Sequence, residues 1–169
     1  MQNHFEMLGL PAAFTLNLKA LEQAYFTAQR ACHPDRFIGK PEADRAAAIS
    51  RSQAVNEAYE TLKNPLTRAE HLLALQGIQA LADGQPVAPA LLMEMMELRE
   101  RVAEAAGASQ QAMIAEIKAL AAATTVEIEG FFATKHWEKA AQATQRLHYL
   151  GKAMEEAMMR AHQAKAMHG

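Results

Sequence analysis

The sequence has a single cysteine, Cys32, in 169 residues. One thiol cannot form an internal disulfide or a metal site made of cysteines alone, which fits a reducing compartment. Basic charge is also scarce, because 17 lysine and arginine residues stand against 19 aspartates and glutamates, for a formal net charge of -2. Nucleic acid and anionic membranes are therefore not favoured as partners.

Long hydrophobic runs and alternating patterns are missing as well. No apolar stretch approaches the roughly 20 residues of a membrane span, and the polar start MQNHFE does not resemble a signal peptide. We expect a cytoplasmic protein. Alanine, leucine, methionine, glutamate and glutamine dominate, and no segment alternates strictly between apolar and polar residues. The sequence therefore predicts an all-α protein, and its 50% of hydrophobic residues suffice for a core.

Helical periodicity begins with a segment from Leu18 to Cys32, for which Asn17 is the expected N-cap. Pro34 ends this helix, because proline disfavours helical geometry in the residue before it. A second helix is predicted from about Glu42 to Lys63, and a third follows the Asn-Pro pair at 64 and 65. The expected apolar stripe of the first helix is Leu18, Leu21, Tyr25, Ala28 and Cys32, and that of the second is Ala48, Val55, Tyr59 and Leu62.

A domain boundary is expected in GIQALADGQPVAP, which holds two glycines, two prolines and a single charge. We predict one domain at 1–76, a linker at 77–88 and a C-terminal three-helix bundle at 89–169. Its helices are expected at about 90–106, 109–132 and 134–167. The predicted seam of the last helix consists of Ala140, Thr144, Leu147, Gly151, Met154, Met158 and Ala161.

The triplet His33-Pro34-Asp35 lies between the first two long helices, and three interpretations compete for it. It is a simple helix-ending turn, a catalytic pair, or a fixed tip that another protein contacts. Catalysis is disfavoured, since residues two apart across a proline do not readily make the directed contact of a triad. A nucleophile is also lacking, because Cys32 belongs to the apolar stripe.

The first helix of the C-terminal domain has one apolar stripe more than a bundle needs. Its core stripe is Leu91, Met95, Leu98, Val102 and Ala105. Leu92, Met93 and Met96 project into a different sector, which is bordered by Glu97, Glu100 and Glu104. On pattern alone this second stripe is either a contact surface, for which adaptable methionines are suited, or packing against the first domain or the linker.

Metal binding and catalysis by carboxylates are not supported by residue spacing. No histidines are paired at i, i+4 and none has thiolate neighbours among His4, His71, His136, His148, His162 and His168. The glutamates at 94, 97, 100 and 104 are expected to form a solvated rim. We therefore predict no metal site.

Three segments resemble a J-domain: HFEMLGLP at 4–11, LEQAYFTAQRACHPDRF at 21–37 and AVNEAYETLKNPLTRAEHLL at 54–73. Beyond them, NPLTRAEHLLALQG and then LLMEMMELRE resemble the HscB family of iron-sulfur cluster co-chaperones over essentially the full length. The resemblance implies an L-shaped, all-α co-chaperone that stimulates the ATPase of a DnaK-type chaperone, HscA. It also implies delivery of the iron-sulfur scaffold protein IscU to that chaperone, by a chain that needs no cofactor and is not itself an enzyme.

The resemblance also implies which residues make these contacts. The ATPase contact is expected at His33, Pro34 and Asp35 with Arg30, Arg36 and Lys40. The scaffold contact is expected at Leu92, Met93, Met96, Glu97, Glu100 and Tyr149. One departure concerns the helix before the triplet, which is only weakly basic and has Phe26 where a basic residue is common. The alternative is a general J-domain adaptor whose C-terminal bundle is structural or dimerising.

Overall fold

The computed structural model describes residues 2–168, without the side chains of residues 165, 167 and 168. This part of the chain contains helices and no strand, so the predicted all-α fold is confirmed. The helices are α1 (His4–Met7), α2 (Leu18–Cys32), the 3-10 turn Pro34–Phe37, α3 (Glu42–Lys63), α4 (Pro65–Leu75), α5 (Pro89–Glu104), α6 (Ala108–Ala133) and α7 (Trp137–His168). Among the described residues, no helix is long and apolar enough to cross a membrane. The chain divides into two compact units, Met1–Gly77 and Ile78–Gly169.

The first unit is built on an antiparallel hairpin of α2 and α3, against which α1 and α4 also pack. Asn17 caps α2 by accepting from the Lys19 and Ala20 backbone N–H groups. Leu21 is fully buried, whereas Leu18, predicted in the same stripe, is 56% exposed. That prediction was wrong because Leu18 is the first residue of α2 and lies at the open end of the hairpin. The largest fully buried side chains of this unit are Phe5, Leu21, Leu62 and Leu73.

A buried arginine joins three parts of the first unit. Arg68 of α4 donates from Nη1 to the Leu62 carbonyl at 2.8 Å, near the end of α3. Its guanidinium carbon also lies 4.9 Å from the ring centre of Phe14. The sequence pattern did not mark Arg68, since its partners come from other segments.

The second unit is a bundle of α5, α6 and α7, with α6 and α7 forming a helical hairpin. On α5 four of the five predicted core residues, Leu91, Met95, Leu98 and Val102, are buried. The fifth, Ala105, is only half-buried, because the helix ends at Glu104 and Ala105 follows it. On α7 the predicted seam was partly wrong, because Gly151 is exposed and Met158 is 57% exposed. The described side chains buried along α7 are Ala140, Ala143, Thr144, Gln145, Leu150, Ala153, Ala157 and Ala161. Alanines rather than methionines line the seam, because small side chains allow helices to approach closely.

Residues 134–136 form the turn between α6 and α7, so α7 begins at Trp137 and not at the predicted Thr134. Thr134 ends α6, and Lys135 follows with a φ of 57°.

The segment 78–88, which precedes α5, belongs to the second unit. Gln145 holds it against α7 by donating from Nε2 to the carbonyls of Ala80 at 3.1 Å and Pro86 at 3.2 Å.

Candidate functional site

The His33-Pro34-Asp35 triplet forms an exposed tip between α2 and α3. His33 has extended backbone geometry and caps the 3-10 turn that starts at Pro34, where proline needs no hydrogen-bond acceptor. The His33 ring accepts from the Asp35 backbone N–H at Nδ1, at 3.3 Å. In this arrangement the neutral ring carries its proton on Nε2 and points that donor away from the turn.

The tip presents a hydrogen-bond donor and a carboxylate to solvent. The side chains of His33 and Asp35 are 54% and 79% exposed, and Nδ1 lies 3.5 Å from a carboxylate oxygen of Asp35. A triad would need a nucleophile at the other nitrogen. Neighbouring Cys32 is buried, and its thiol faces the Ala28 carbonyl at 3.2 Å. The geometry therefore suits recognition by a partner and not nucleophilic catalysis.

Cationic side chains flank the tip. Arg36 donates from Nη1 to the carbonyl of Arg30 at 2.9 Å, which satisfies one of the last carbonyls of α2. Arg30 itself lines a shallow depression together with Phe26, whose side chain is 53% exposed. Lys40 is exposed in the loop that follows the 3-10 turn. The structure thus brings Arg30 and Arg36 together.

A polar network one helical turn below the tip fixes the α2–α3 hairpin, and sequence reasoning missed it. The Gln29 amide donates to the Ser52 carbonyl at 3.2 Å and to Asn56, and it accepts from the Ser52 hydroxyl at 3.0 Å. The Tyr25 hydroxyl also donates to Asn56, at 3.0 Å. The sequence signal for this network was the pair Ser52 and Asn56, two polar residues four apart on one face of α3.

The second stripe of α5 is exposed. Leu92, Met93 and Met96 are 44%, 63% and 65% exposed, and Glu97 and Glu100 beside them are exposed as well. Together they form an exposed apolar surface with an acidic edge.

Tyr149 of α7 lies on the same side of the bundle as Leu92. Arg99 and Leu92 are seven residues apart on α5, and Glu156 and Tyr149 are seven apart on α7, so each pair shares one helix face. The two faces meet where Arg99 Nε donates to Glu156 at 3.2 Å. Tyr149 is half-buried and packs against the core of the unit.

Glu94 departs from the expected solvated rim. Its carboxylate accepts from Nη2 of Arg146 at 2.6 Å and from Nε at 3.2 Å. The hydrogen bond to Glu94 is the main reason why the pKa of Arg146 is raised. This ion pair joins α5 to α7.

No group of three or more histidine, cysteine, aspartate or glutamate side chains within the described residues is arranged to hold a metal ion. The side chain of His168 lies outside the described residues. His4 and His71 do come together, but as stacked rings with centroids 4.3 Å apart. Burial lowers the pKa of both imidazoles.

Two known protein families match separate parts of the chain. Residues 3–71 match the DnaJ domain family, and residues 87–158 match the family described as the HSCB C-terminal oligomerisation domain. A Vibrio cholerae relative, called co-chaperone protein HscB homolog, is 36% identical over 160 residues, which cover 91% of this chain and 94% of the relative. The chain belongs to the HscB family of co-chaperones.

Solved HscB structures share the fold. Chaperone HscB from Vibrio cholerae matches with a TM-score of 0.85 and 34% identity, covering 96% of this chain and 99% of that one. The crystal structure of human co-chaperone HscB matches with a TM-score of 0.86 and 25% identity, covering 95% and 83%. Membership in the HscB family confirms the resemblance, the J-domain followed by a helical region, and the co-chaperone role in iron-sulfur cluster assembly. Its J-domain implies a chaperone partner of the DnaK type.

Proposed function

We propose that this chain stimulates the ATPase of HscA and delivers the scaffold protein IscU to it, in the cytoplasm. The proposed J-domain is 1–76, the linker 77–88 and the scaffold-binding bundle 89–169. The observation that carries the proposal is the exposed, internally ordered tip at His33 and Asp35 together with a separate exposed apolar face on α5. The chain would act by binding two proteins and would supply no catalytic group.

The tip is suited to docking because it is ordered before contact. Pro34 fixes φ, and the bond from Asp35 N–H to the His33 ring holds the imidazole. Less conformational entropy is then lost on binding. The Asp35 carboxylate can pair with a cation of the chaperone, and Arg30, Arg36 and Lys40 with acidic groups. Phe26 adds exposed apolar surface near the tip. Because it stands where a basic residue is common, α2 should attract an acidic partner only weakly.

The exposed face of α5 is suited to a protein partner with an apolar patch and basic neighbours. Leu92, Met93 and Met96 supply the apolar contact, and methionine adapts to an imperfectly matched surface. Glu97 and Glu100 provide the acidic edge, and Tyr149 extends the surface onto α7. Aromatic and methionine side chains are typical of interface cores.

The double substitution Leu92→Ala with Met96→Ala tests the scaffold contact. Both side chains are exposed, so the fold should persist, while the affinity for IscU should fall by about 100-fold through lost apolar burial. Calorimetric titration measures the affinity. ATPase stimulation measured without scaffold should not change.

The matched control is Met158→Ala with Met159→Ala, which removes two exposed methionines elsewhere on α7. It should leave IscU binding unchanged. Tyr149 is kept in both variants because it also packs against the core. Wild-type affinity in the Leu92 and Met96 variant would reject the assignment of α5 as the scaffold site.

A dimerising C-terminal bundle is the second candidate, and the description of the matched C-terminal family as an oligomerisation domain favours it. In that case the exposed apolar face of α5 would bind a second copy of the chain. Sedimentation of the protein alone separates the two candidates. A dimer that dissociates on the Leu92 and Met96 substitutions supports the second, and a monomer that binds IscU supports the first.

A further inference from the structure

In the part of the chain that the structure describes, three ion pairs join α5 to the other helices of the bundle. Neither end has a side-chain cap: Ala88 precedes the helix and Ala105 follows it. The three pairs differ in burial. The side chain of Arg146, which binds Glu94, is only 24% exposed. The arginines of the Arg99 and Arg101 pairs are 69% and 52% exposed. Exposed ion pairs contribute little, so the Arg146 contact is the main polar attachment.

Arg146 connects all three helices of the second unit. From α7 it donates through Nε and Nη2 to Glu94 of α5, and through Nη1 to the Thr124 hydroxyl of α6 at 2.9 Å. Thr124 is fully buried and donates in turn to the Leu120 carbonyl at 2.8 Å. Both hydrogen-bonding roles of that hydroxyl are thus used. A planar guanidinium with this fork geometry fixes orientation, which a lysine would do less well.

The position of Glu94 on α5 gives this contact a consequence for the exposed face. At about 100° per residue, Glu94 lies about 160° around the helix from both Leu92 and Met96. Holding Glu94 against α6 and α7 therefore turns Leu92 and Met96 outward. A rotation of α5 about its axis would change the positions of both relative to Tyr149.

We propose that Arg146 is a positioning residue for the exposed face of α5: by binding Glu94 and Thr124 it sets the rotation at which α5 meets its partner. The proposal rests on the proposed function, in which that partner is IscU. Arg146 acts through Glu94 and does not itself contact the partner. Removing it should weaken scaffold binding without any change at the J-domain tip.

The test uses the full chain, with Arg146→Met to remove the guanidinium and keep an apolar stem. We expect IscU affinity to fall by about tenfold and amide hydrogen exchange at residues 90–97 to accelerate, while ATPase stimulation without scaffold stays at the wild-type level. Arg146→Lys, which keeps the charge beside Glu94, should recover affinity to within about threefold of wild type. Such recovery separates orientation of α5 from general packing.

A second variant and a control complete the test. Thr124→Val keeps the side-chain shape but removes the acceptor for Nη1, and it should weaken binding by about threefold even if Arg146→Met does not fold. Arg101→Met removes an exposed pair of α5 with α6 and should bind normally. The proposal is overturned by wild-type affinity in the Arg146→Met and Thr124→Val proteins, or by equal loss in Arg101→Met. If the wild type does not bind IscU, the proposed function and the scaffold role of Arg146 both fail, and hydrogen exchange reports separately whether Arg146 holds α5.

Discussion

At the scale of single residues, Arg68 illustrates how a buried charge stabilises the first unit. In the folded chain its guanidinium donates to the Leu62 carbonyl and lies over the Phe14 ring. Arg68→Met keeps much of the apolar stem but leaves the carbonyl without this donor, so the free energy of unfolding should fall by about 2 to 3 kcal/mol. Urea unfolding of the full chain measures this. Arg51→Met, at an exposed site of α3, should change it by less than about 0.5 kcal/mol, and equal effects of the two substitutions would contradict the role of Arg68.

The His4 and His71 pair predicts a dependence of stability on pH. The His4 backbone N–H donates to Nε2 of His71 at 3.1 Å, which requires a neutral His71 ring. Burial is the largest cause for both rings and lowers the pKa of each below 6.5. The neighbouring His4 lowers the pKa of His71 further, whereas the negative charge of Glu57 raises the pKa of His4. The unfolded chain therefore binds more protons as the pH falls through 6.5. Stability is present above that pH and is lost below it.

The measurement is the urea midpoint of the full chain between about pH 7.5 and 5.5. The wild-type midpoint should fall, whereas His71→Gln, which keeps an acceptor for the His4 N–H but cannot be protonated, should show a flatter profile. His162→Gln, at an exposed position, serves as the control and should follow the wild type. A His71→Gln profile as steep as that of the wild type would show that the pair does not titrate in this way.

At the scale of helices, the end of α6 has a lysine where glycine is usual. His136 N–H donates to the Phe131 carbonyl at 2.9 Å and Lys135 N–H to the Phe132 carbonyl at 3.2 Å, which is the Schellman pattern. It requires the left-handed φ of 57° at Lys135. Lys135→Gly should raise the free energy of unfolding by about 1 kcal/mol, because glycine has no Cβ to strain there. Lys135→Ala keeps the Cβ and should give no gain; a gain as large as that of glycine would contradict a backbone origin.

Helix positions were largely predictable because local chemistry decides them. Asn17 caps α2 as expected, Pro34 ends it, and the Asn-Pro pair at 64 and 65 separates α3 from α4. The seam of α7 was harder, since alanine is compatible with either face and only the packing of α5 and α6 against α7 places Ala153 and Ala157 inside. Apart from Ala105, which follows the end of the helix, the two faces of α5 were predicted correctly because large apolar residues filled both stripes.

The residues that orient the candidate sites were not predictable in the same way. Gln29 and Arg146 are polar, and helical spacing alone does not identify the distant partners that each meets: Ser52 for the first, Glu94 and Thr124 for the second. Their roles depend on how helices are arranged in space. The triplet at 33–35 was the easier case, because proline determines its local geometry.

At the scale of the whole molecule, the chain has two compact units, each with one exposed candidate contact. The domain limits and the contact residues remain predictions, whereas the HscB family is shown by relatives that match along most of the chain. The central claim is that the tip of the first unit acts on a chaperone ATPase while the second unit holds the scaffold. Substitutions in one unit should therefore leave the function of the other intact.

The most direct test is the ATPase rate of HscA with the wild type and with His33→Gln, each with and without IscU. Glutamine can still accept the Asp35 N–H, so the turn should keep its shape while the imidazole is lost. We predict that the wild type accelerates ATP hydrolysis, more so with IscU, and that His33→Gln lowers this stimulation by at least about tenfold, or about 1.4 kcal/mol. His33→Gln should still bind IscU normally. Stimulation by His33→Gln equal to that of the wild type would contradict the account.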